Sequence, residues 1–449
     1  MEWNNGKELC FKIVELAKKA GIQECDVILQ RGQSLNLQAQ KGSIDKSKVT
    51  STQVVGIRVI QDQKIGISAS ESLELDSLKM MVDQAKATSR YSGADPYQNI
   101  RQKNDQDIIL IPERVKVKED IPLQAKIDLA IRLEQDILAA DKRIHNAPYS
   151  GYSDGEGESF YANHLGTFCY QKDRSYSIYT SALAGANEQQ AMYSSSSIGR
   201  SFSELDLKAC VDEASTIALR LLDAKPIPTG RYDVIFSTDE WESILSAHLG
   251  AFSAKAAKEG TAYYRDKLAK SIAVSGLTMR DSPQYRDGFS FSAFDDEGMP
   301  REDLTVINQG VLKSFFHNSA TARFFKQKST AHGSRGAKGS LGVSPTQLVF
   351  DTGSVSKNDL YAGQVLKVIS LKGLHSGTNA VSGHFSLAVE AILCRDGVEQ
   401  QMVKDVTLSA NFYDILNGIQ GIGSTLEASS GRSFFSPEIR FSGMSVAGS

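Results

Sequence analysis

The sequence predicts an α+β protein with mixed and antiparallel sheets, flanking helices and a β-rich C-terminal domain. Three observations lead to this prediction. Amphipathic helical segments are interspersed with strand-like segments over roughly the first half of the chain, and one strands-then-helix pattern occurs there twice. From Arg231 onwards, short strands separated by glycines predominate, which favours antiparallel pairing over alternating βαβ units.

The spacing of apolar residues predicts the individual elements of the first half. Apolar residues three and four positions apart predict helices, at 9–20, 75–87, 123–140 and 207–222. Alternation at period two predicts strands, at 26–30, 34–38, 54–60, 64–69 and over much of 158–198. The serine run 194–197 is interpreted as a loop tip or linker.

Two segments resemble each other and suggest a duplicated module. Residues 74–85 and 204–214 share an acidic start, the pair Leu-Asp and a later Val-Asp-x-Ala, with one gap between them. The alternative, that amphipathic helices resemble one another by chance, stays open. Polar residues at 88–120 and the Pro-Ile-Pro-Thr-Gly run ending at Gly230 mark boundaries. We therefore predict domains at 1–115, 116–228 and 229–449.

The C-terminal domain is predicted to begin with a strand and a helix. A strand at 232–237 precedes Ser237 and Glu240, whose spacing predicts a capping box at the start of the helix. An apolar stripe through Trp241 and Phe252 places His248 on the buried side, where a core histidine is the simpler interpretation. Further strands are predicted at 304–307, 347–350, 365–371, 386–394 and 399–408.

Composition excludes several classes of protein. The chain has 50 Lys and Arg against 53 Asp and Glu, a formal charge of −3, which gives no electrostatic reason to expect nucleic acid or an anionic membrane as a direct partner. Five scattered cysteines without a C-x-x-C pair argue against a disulfide framework or a zinc finger and favour a reducing compartment. Neither a secretory signal nor a membrane span is predicted, so the expected location is the cytoplasm.

A set of short segments resembles one protein family in order and spacing. It includes Val55–Val59 and Lys64–Ala69 near the start, followed later by Phe294–Gly298, Ile307–Lys313, Thr321–Arg323, Asn379–Ser386 and Val406–Asn411. Taken together, these segments resemble the TldD/PmbA family, most closely its PmbA branch, also called TldE. The resemblance extends over nearly the whole chain.

The resemblance implies a degenerate metal site on the helix after the strand at 232–237. TldD-type members carry H-E-x-x-x-H there, with two zinc-binding histidines, a glutamate that activates water and a later cysteine. Here Ser243 and Ile244 take the places of the first ligand and the base, and only His248 remains. Isoleucine cannot accept a proton, and residues 421–437 contain no cysteine. We expect no catalytic residue and no zinc in this chain.

The implied function is that of a zinc-less subunit in a peptide-cleaving complex. Its expected partner is a TldD-type chain that binds the zinc, in a heterodimer, with a homodimer as the alternative and peptides as substrates. A second hypothesis is an active metallopeptidase with a remade site around His248, Asp296, Glu297, His332 and His384, and Asn379 is a further cleft candidate. A third is a non-proteolytic regulatory protein, since the family is linked by name to modulation of DNA gyrase. The simpler interpretation of 295–298 is an acidic turn closed by glycine.

Overall fold

The structure is a computed structural model that describes residues 3–116 and 119–448, and it confirms the α+β prediction. The N-terminal strands are β1 Glu24–Gln40, β2 Ser43–Gln61, β3 Lys64–Ser70, β4 Ile108–Leu110, β5 Ile144–Asn146, β6 Ser150–Asn163, β7 Phe168–Ala186 and β8 Gln189–Gly199. The accompanying helices are α1 Asn4–Lys19, α2 Leu75–Ser89, α3 Glu113–Lys116, α4 Leu123–Ala140 and α5 Leu207–Leu222.

Every N-terminal strand belongs to one sheet with the central order β3-β2-β1-β6-β7, in which β4, β5 and β8 all pair with β7. The sheet crosses the predicted division at 115 and 116, because β1 pairs with β6 antiparallel over most of its length. Two local predictions were wrong. The segments 26–30 and 34–38 form the single strand β1, and Ser194–Ser197 lies inside β8, paired with β7.

The sheet has two halves of the same design, as the repeated helix sequence predicted. The order α1-β1-β2-β3-α2 in the first half corresponds to α4-β6-β7-β8-α5 in the second. Gln33 of β1 and Glu156 of β6 pair near the centre of the sheet. The resembling segments 74–85 and 204–214 therefore occupy equivalent places, on the helix that follows the third strand of each half.

The alternation of side chains separates the two faces of this sheet. Odd-numbered residues of β1 face the helices: Val27 and Leu29 pack in the core under α1 and α2, and Leu35 and Leu37 pack in the core under α4 and α5. Even-numbered residues face the other way. Ile28 packs against Ala337 of the C-terminal region, so this face joins the two parts of the molecule.

The C-terminal region is built on a closed ring of strands. The strands of the whole region, including those outside the ring, are β9 Gly230–Phe236, β10 Met279–Asp281, β11 Leu304–Asn308, β12 Val311–Leu312, β13 Gly333–Ser334, β14 Gly342–Val343, β15 Leu348–Phe350, β16 Gln364–Lys372, β17 His384–Arg395, β18 Val398–Asn411, β19 Ile419–Ala428 and β20 Phe434–Ala447. Its helices are α6 Thr238–Ala247, α7 Ala254–Lys258, α8 Ser319–Phe325, α9 Lys357–Leu360, α10 Leu374–Gly377 and α11 Phe412–Ile415.

The ring closes because β9 pairs with strands on both sides, parallel with β16 and antiparallel with β20. From β16 the order runs through β17 and β18 back to β20. The interior is apolar and continuous with a core that includes Trp241 of α6. No helix in residues 3–116 or 119–448 has the length and apolar character needed to cross a bilayer.

The two parts approach each other closely where β2 passes the segment after β13. A Cβ atom at Gly56 would lie 1.7 Å from the carbonyl oxygen of Ala337, so only glycine permits this contact. In β6, a Cβ atom at Gly157 would come no nearer than 3.9 Å to any atom outside its neighbours.

We predict that Gly56→Ala destabilises the protein by about 1–3 kcal/mol, because the added methyl group forces the two parts apart. The matched substitution Gly157→Ala, also in a strand of this sheet, should change stability by less than about 1 kcal/mol. The midpoint of urea denaturation measures both effects. Equal midpoints for the two variants would contradict the close approach at Gly56.

Candidate functional site

The helix that matches the metal motif of TldD-type members, α6, packs into the C-terminal core. Trp241 lies 5.0 Å from the ring of Phe441 between centroids, and Ile244 is fully buried. The predicted capping box does not form, because the Ser237 side chain makes no cap hydrogen bond. The helix also ends earlier than predicted. His248 is its C-cap, and a short 3₁₀ turn at Leu249–Phe252 follows.

His248 is enclosed in aromatic side chains. Its ring stacks on Phe412 with a centroid distance of 4.5 Å and an interplanar angle of 5°. Its Nδ1 lies 2.8 Å from the carbonyl oxygen of Ile244, four residues earlier, and the residue is completely buried. Burial lowers the pKa of His248, although the hydrogen bond to Ile244 opposes the shift. The imidazole is therefore neutral and acts as a core side chain.

The residues present do not fit a catalytic zinc ion of the kind the family resemblance implies. Donation from Nδ1 to Ile244 leaves Nε2 of His248 as the atom that could bind a metal. That atom is buried and has no partner among the described residues. Ser243 and Ile244 provide neither an imidazole nor a carboxylate beside it. No step of hydrolysis can be derived from this helix.

An open groove of about 820 Å³ is lined by residues of β9, β17, β18 and β20 and of the loops beside them. Small polar residues of β17 and β18 line it, and the hydroxyls of Ser386 and Ser409 lie 2.9 Å apart. Phe385 also lines the groove, and its ring meets the buried His248 edge-on at 6.5 Å between centroids. The degenerate motif therefore lies directly beneath the wall of this groove.

The structure places two of the predicted cleft residues, Asn379 and His384, at the groove. The Asn379 side chain accepts hydrogen bonds from the backbone N–H groups of Val381 and Ser382, at 3.1 and 3.0 Å. Its role is therefore to hold a tight loop. His384 is exposed, and its Nδ1 lies 3.4 Å from the amide nitrogen of Asn411.

His332 lies elsewhere, in a buried pair with Asp281. Its Nε2 is 2.7 Å from Oδ2 of Asp281, and both side chains are almost fully inaccessible. The hydroxyl of Thr346 donates to the same carboxylate oxygen at 2.7 Å. Burial raises the pKa of Asp281, but the bond and charge of His332 outweigh it and the net shift is downward. The pair fastens the end of β10 to the start of β13, and the bond from Thr346 adds the segment before β15.

A second buried set of charges joins the N-terminal sheet to the C-terminal region. Asp26 of β1 is bracketed by Arg58 of β2 and by Arg335, which follows β13. Nε of Arg58 lies 3.1 Å from Oδ2 of Asp26, and Nη2 of Arg335 lies 2.6 Å from Oδ1. All three side chains are essentially inaccessible. One carboxylate thus binds two guanidinium groups from different parts of the fold.

The predicted acidic turn lies beside this junction and is confirmed as a turn. Gly298 donates from its backbone N–H to the Asp295 carbonyl oxygen at 2.9 Å and has a φ of +76°. Asp295 accepts three backbone N–H groups, from Glu297, Met299 and Gly333. Burial, with the nearby Glu297 carboxylate, raises the pKa of Asp295 to about 7.

The other two carboxylates of the turn also have structural partners. Asp296 accepts the backbone N–H groups of Arg335 and Gly336, at 2.7 and 3.0 Å. Glu297 accepts from the backbone N–H of Ser319 at 2.7 Å and lies 3.5 Å from Nη2 of Arg58. These carboxylates therefore order the junction between the sheet and the C-terminal region.

The five residues of the hypothetical remade site occupy four environments: the aromatic core, the buried Asp–His pair, the junction, and the exposed groove. Within residues 3–116 and 119–448, no three His, Cys, Asp or Glu side chains are grouped so that they could hold a metal ion. The sequence-based reasoning missed Asp26, Arg58 and Arg335. The available signal was an aspartate and an arginine inside otherwise apolar strands.

The chain matches family models along most of its length. They are described as PmbA/TldA metallopeptidase domain 1, over residues 25–89, the central domain, over 116–222, and the C-terminal domain, over 229–448. The chain belongs to the PmbA/TldA metallopeptidase family. This confirms the resemblance found in the sequence, and the third match begins at the residue predicted to start the C-terminal domain.

Individual PmbA relatives are distant in sequence but similar in length. A metalloprotease PmbA homolog of Haemophilus influenzae is 24% identical over 416 residues, covering 92% of this chain and 90% of that protein. Metalloprotease PmbA of Escherichia coli O157:H7 is 24% identical over 429 residues, covering 93% and 92%.

Solved structures share the fold. TldE from Thermococcus kodakarensis superposes with a TM-score of 0.84 at 19% identity, covering 98% of this chain and 100% of that one. A proposed modulator of DNA gyrase from Bacteroides thetaiotaomicron gives a TM-score of 0.86 at 21% identity, with full coverage of both chains.

We predict that Asp26→Asn destabilises the protein by about 3–5 kcal/mol, because Arg58 and Arg335 would remain buried without their shared counter-charge. Asp76→Asn removes a solvent-exposed pair with Lys79 and should cost less than about 1 kcal/mol. Urea denaturation midpoints test both variants. A small effect at Asp26 would show that the junction does not depend on this charge.

We predict that His248→Phe is tolerated and makes stability less sensitive to acid. The unfolded histidine has a pKa near 6.5, and burial lowers the pKa in the folded protein. The unfolded state therefore binds more protons below pH 6.5, and the parent loses stability as pH falls through this window. Phenylalanine removes this contribution. Urea midpoints at pH 7 and pH 5 should differ less for the variant, and an unchanged difference would contradict the assignment.

Proposed function

We propose that this chain is a PmbA/TldE-type subunit without a zinc site of its own, which assembles with a TldD-type catalytic subunit to cleave unfolded or small peptides. One observation carries the proposal: the helix at the position of the family's zinc motif has Ser243 and Ile244, and its remaining histidine is sealed in the core. The family membership and the TldE structural neighbour support the partnership. The cytoplasm is the proposed location.

The groove is the proposed place where this subunit contributes to substrate binding. Glycines 377, 418 and 443 line it together with small polar side chains, so another backbone can approach closely. An extended peptide held mainly through its main chain would be recognised with little regard to its sequence. This fits a substrate class of unfolded peptides.

The first experiment is co-expression with a TldD-type chain, followed by size-exclusion chromatography, metal analysis and a peptide-cleavage assay. We expect a stable complex in which zinc accompanies the partner, and no peptide cleavage by the isolated chain. His248→Ala in this subunit should leave cleavage by the complex within about twofold, provided the complex still forms. Stoichiometric zinc on the isolated chain, with cleavage lost on His248→Ala, would establish the remade-site alternative instead.

We predict that Ser386→Trp, which fills the groove, lowers kcat/KM of the complex at least about tenfold, because the indole occupies space needed by the peptide. Gln400→Trp is the matched control, since Gln400 is exposed in β18 of the same hairpin and does not line the groove. It should retain kcat/KM. Chromatography must show that both variants still bind the partner. Full activity of Ser386→Trp would exclude the groove as a substrate site.

A further inference from the structure

A second cavity, of about 210 Å³, lies at the junction between the N-terminal sheet and the C-terminal region. It is separate from the groove, since the two have no lining residue in common. Its walls come from β2, from the segment before β4, from the acidic turn and from α8. Three arginines line it: Arg58, Arg101 and Arg323. Such a concentration of guanidinium groups around a small cavity is typical of recognition of a planar anion.

The positive charge of these arginines is only partly compensated. Arg323 donates Nε to the backbone carbonyl of Tyr97 at 2.6 Å and has no carboxylate partner among the described residues. Burial lowers the pKa of Arg323; Arg101 and Arg58 lower it further, whereas Glu297 and Glu24 oppose the shift. The two neighbouring cations, Arg101 and Arg58, therefore destabilise the charged form of Arg323.

Arg58 supplies a donor that the protein leaves unused. Its Nε and Nη2 bind Asp26, but Nη1 is buried and has no acceptor within the described chain. The side chain is 1% exposed, so water cannot readily satisfy this donor. Across the same cavity, the side-chain oxygen of Asn99 is also buried and has no partner among the residues that the structure describes. An amide can present its nitrogen instead after a flip, which would add a donor.

The remaining wall distinguishes between kinds of anion. Ile100, Met299 and Ala322 add apolar surface to the lining, and Glu297 is the carboxylate among the lining residues. Both oxygens of Glu297 are already engaged by Ser319. A bare inorganic ion would leave this apolar surface uncovered. A carboxylate on a short carbon chain would contact both the arginines and the apolar surface.

We propose that this cavity binds a small organic carboxylate, whose oxygens accept hydrogen bonds from the guanidinium groups of Arg58, Arg101 and Arg323. The carboxylate has two sources with the same chemistry, a free short-chain acid or the C-terminus of a peptide. The proposal stands apart from the function proposed above, because it concerns the isolated chain and a different cavity.

The test is isothermal titration calorimetry on the full chain at low ionic strength, with butyrate, inorganic phosphate, and acetyl-Ala-Ala as free acid and as amide. We expect saturable binding of a carboxylate and weaker or no binding of phosphate. Arg101→Gln should raise Kd about tenfold, since one charge-assisted hydrogen bond is lost. Arg101 is exposed and makes no hydrogen bond or ion pair in the described chain, so the variant should fold. Arg132→Gln on α4 removes an equal, solvent-exposed charge and should leave Kd unchanged.

Preference for butyrate would identify a free acid, and binding of the peptide acid but not its amide would identify a chain terminus; both outcomes support the site. Absence of saturable carboxylate binding would overturn the proposal, as would tighter binding of phosphate than of either carboxylate. Equal losses of affinity in Arg101→Gln and Arg132→Gln would show a general charge effect and would also overturn it.

Discussion

The buried carboxylate of Asp26 is the interaction on which the arrangement of this molecule depends. It lies on the first strand of the chain, yet its partners are Arg58 in the next strand and Arg335 deep in the C-terminal region. Removing charges from water is costly, and the cost is offset only when the pairs are close and well hydrogen-bonded. The junction therefore tolerates few relative positions of sheet and ring. The arginine-lined cavity lies at this junction, and its shape depends on this constraint.

Aromatic packing closes the end of helix α6, where the family resemblance implies a degenerate metal motif. A histidine that binds a metal must present a ring nitrogen to the ion. Here the ring lies flat on Phe412, and Phe385 stands between it and the groove. Ser243 and Ile244 provide neither an imidazole nor a carboxylate beside this ring. Aromatic packing stabilises the end of α6, while the groove beyond Phe385 stays open.

The sequence predicted the regular parts of this fold well because their signals are local. The helix at 123–140 and the hairpin of β2 and β3 depend on apolar periodicity, and they lie where expected. The sequence predicts two strands, at 26–30 and 34–38, where the structure has the single strand β1. The reason is that Gly32 interrupts the apolar alternation. The serines of β8 were wrongly predicted to form a loop tip or linker. A run of serines does not indicate a strand by its composition, and these serines form one because they pair with β7. Asp26 and Arg58 stand out as charged residues inside apolar strands, but Arg335, the other partner of Asp26, lies 309 positions away in the sequence, and no local pattern predicts that contact.

The closure of the ring by β9 has a consequence for how the protein is made. Gly230 in this strand pairs with Val446 in β20, so two nearly opposite ends of the C-terminal region must meet. A ribosome delivers the N-terminal sheet long before it delivers β20. Strand β9 and its parallel partner β16 are then synthesised with open edges and an uncovered apolar interior. Nascent chains of this protein should therefore expose these edges throughout translation of the C-terminal half, until β20 completes the ring.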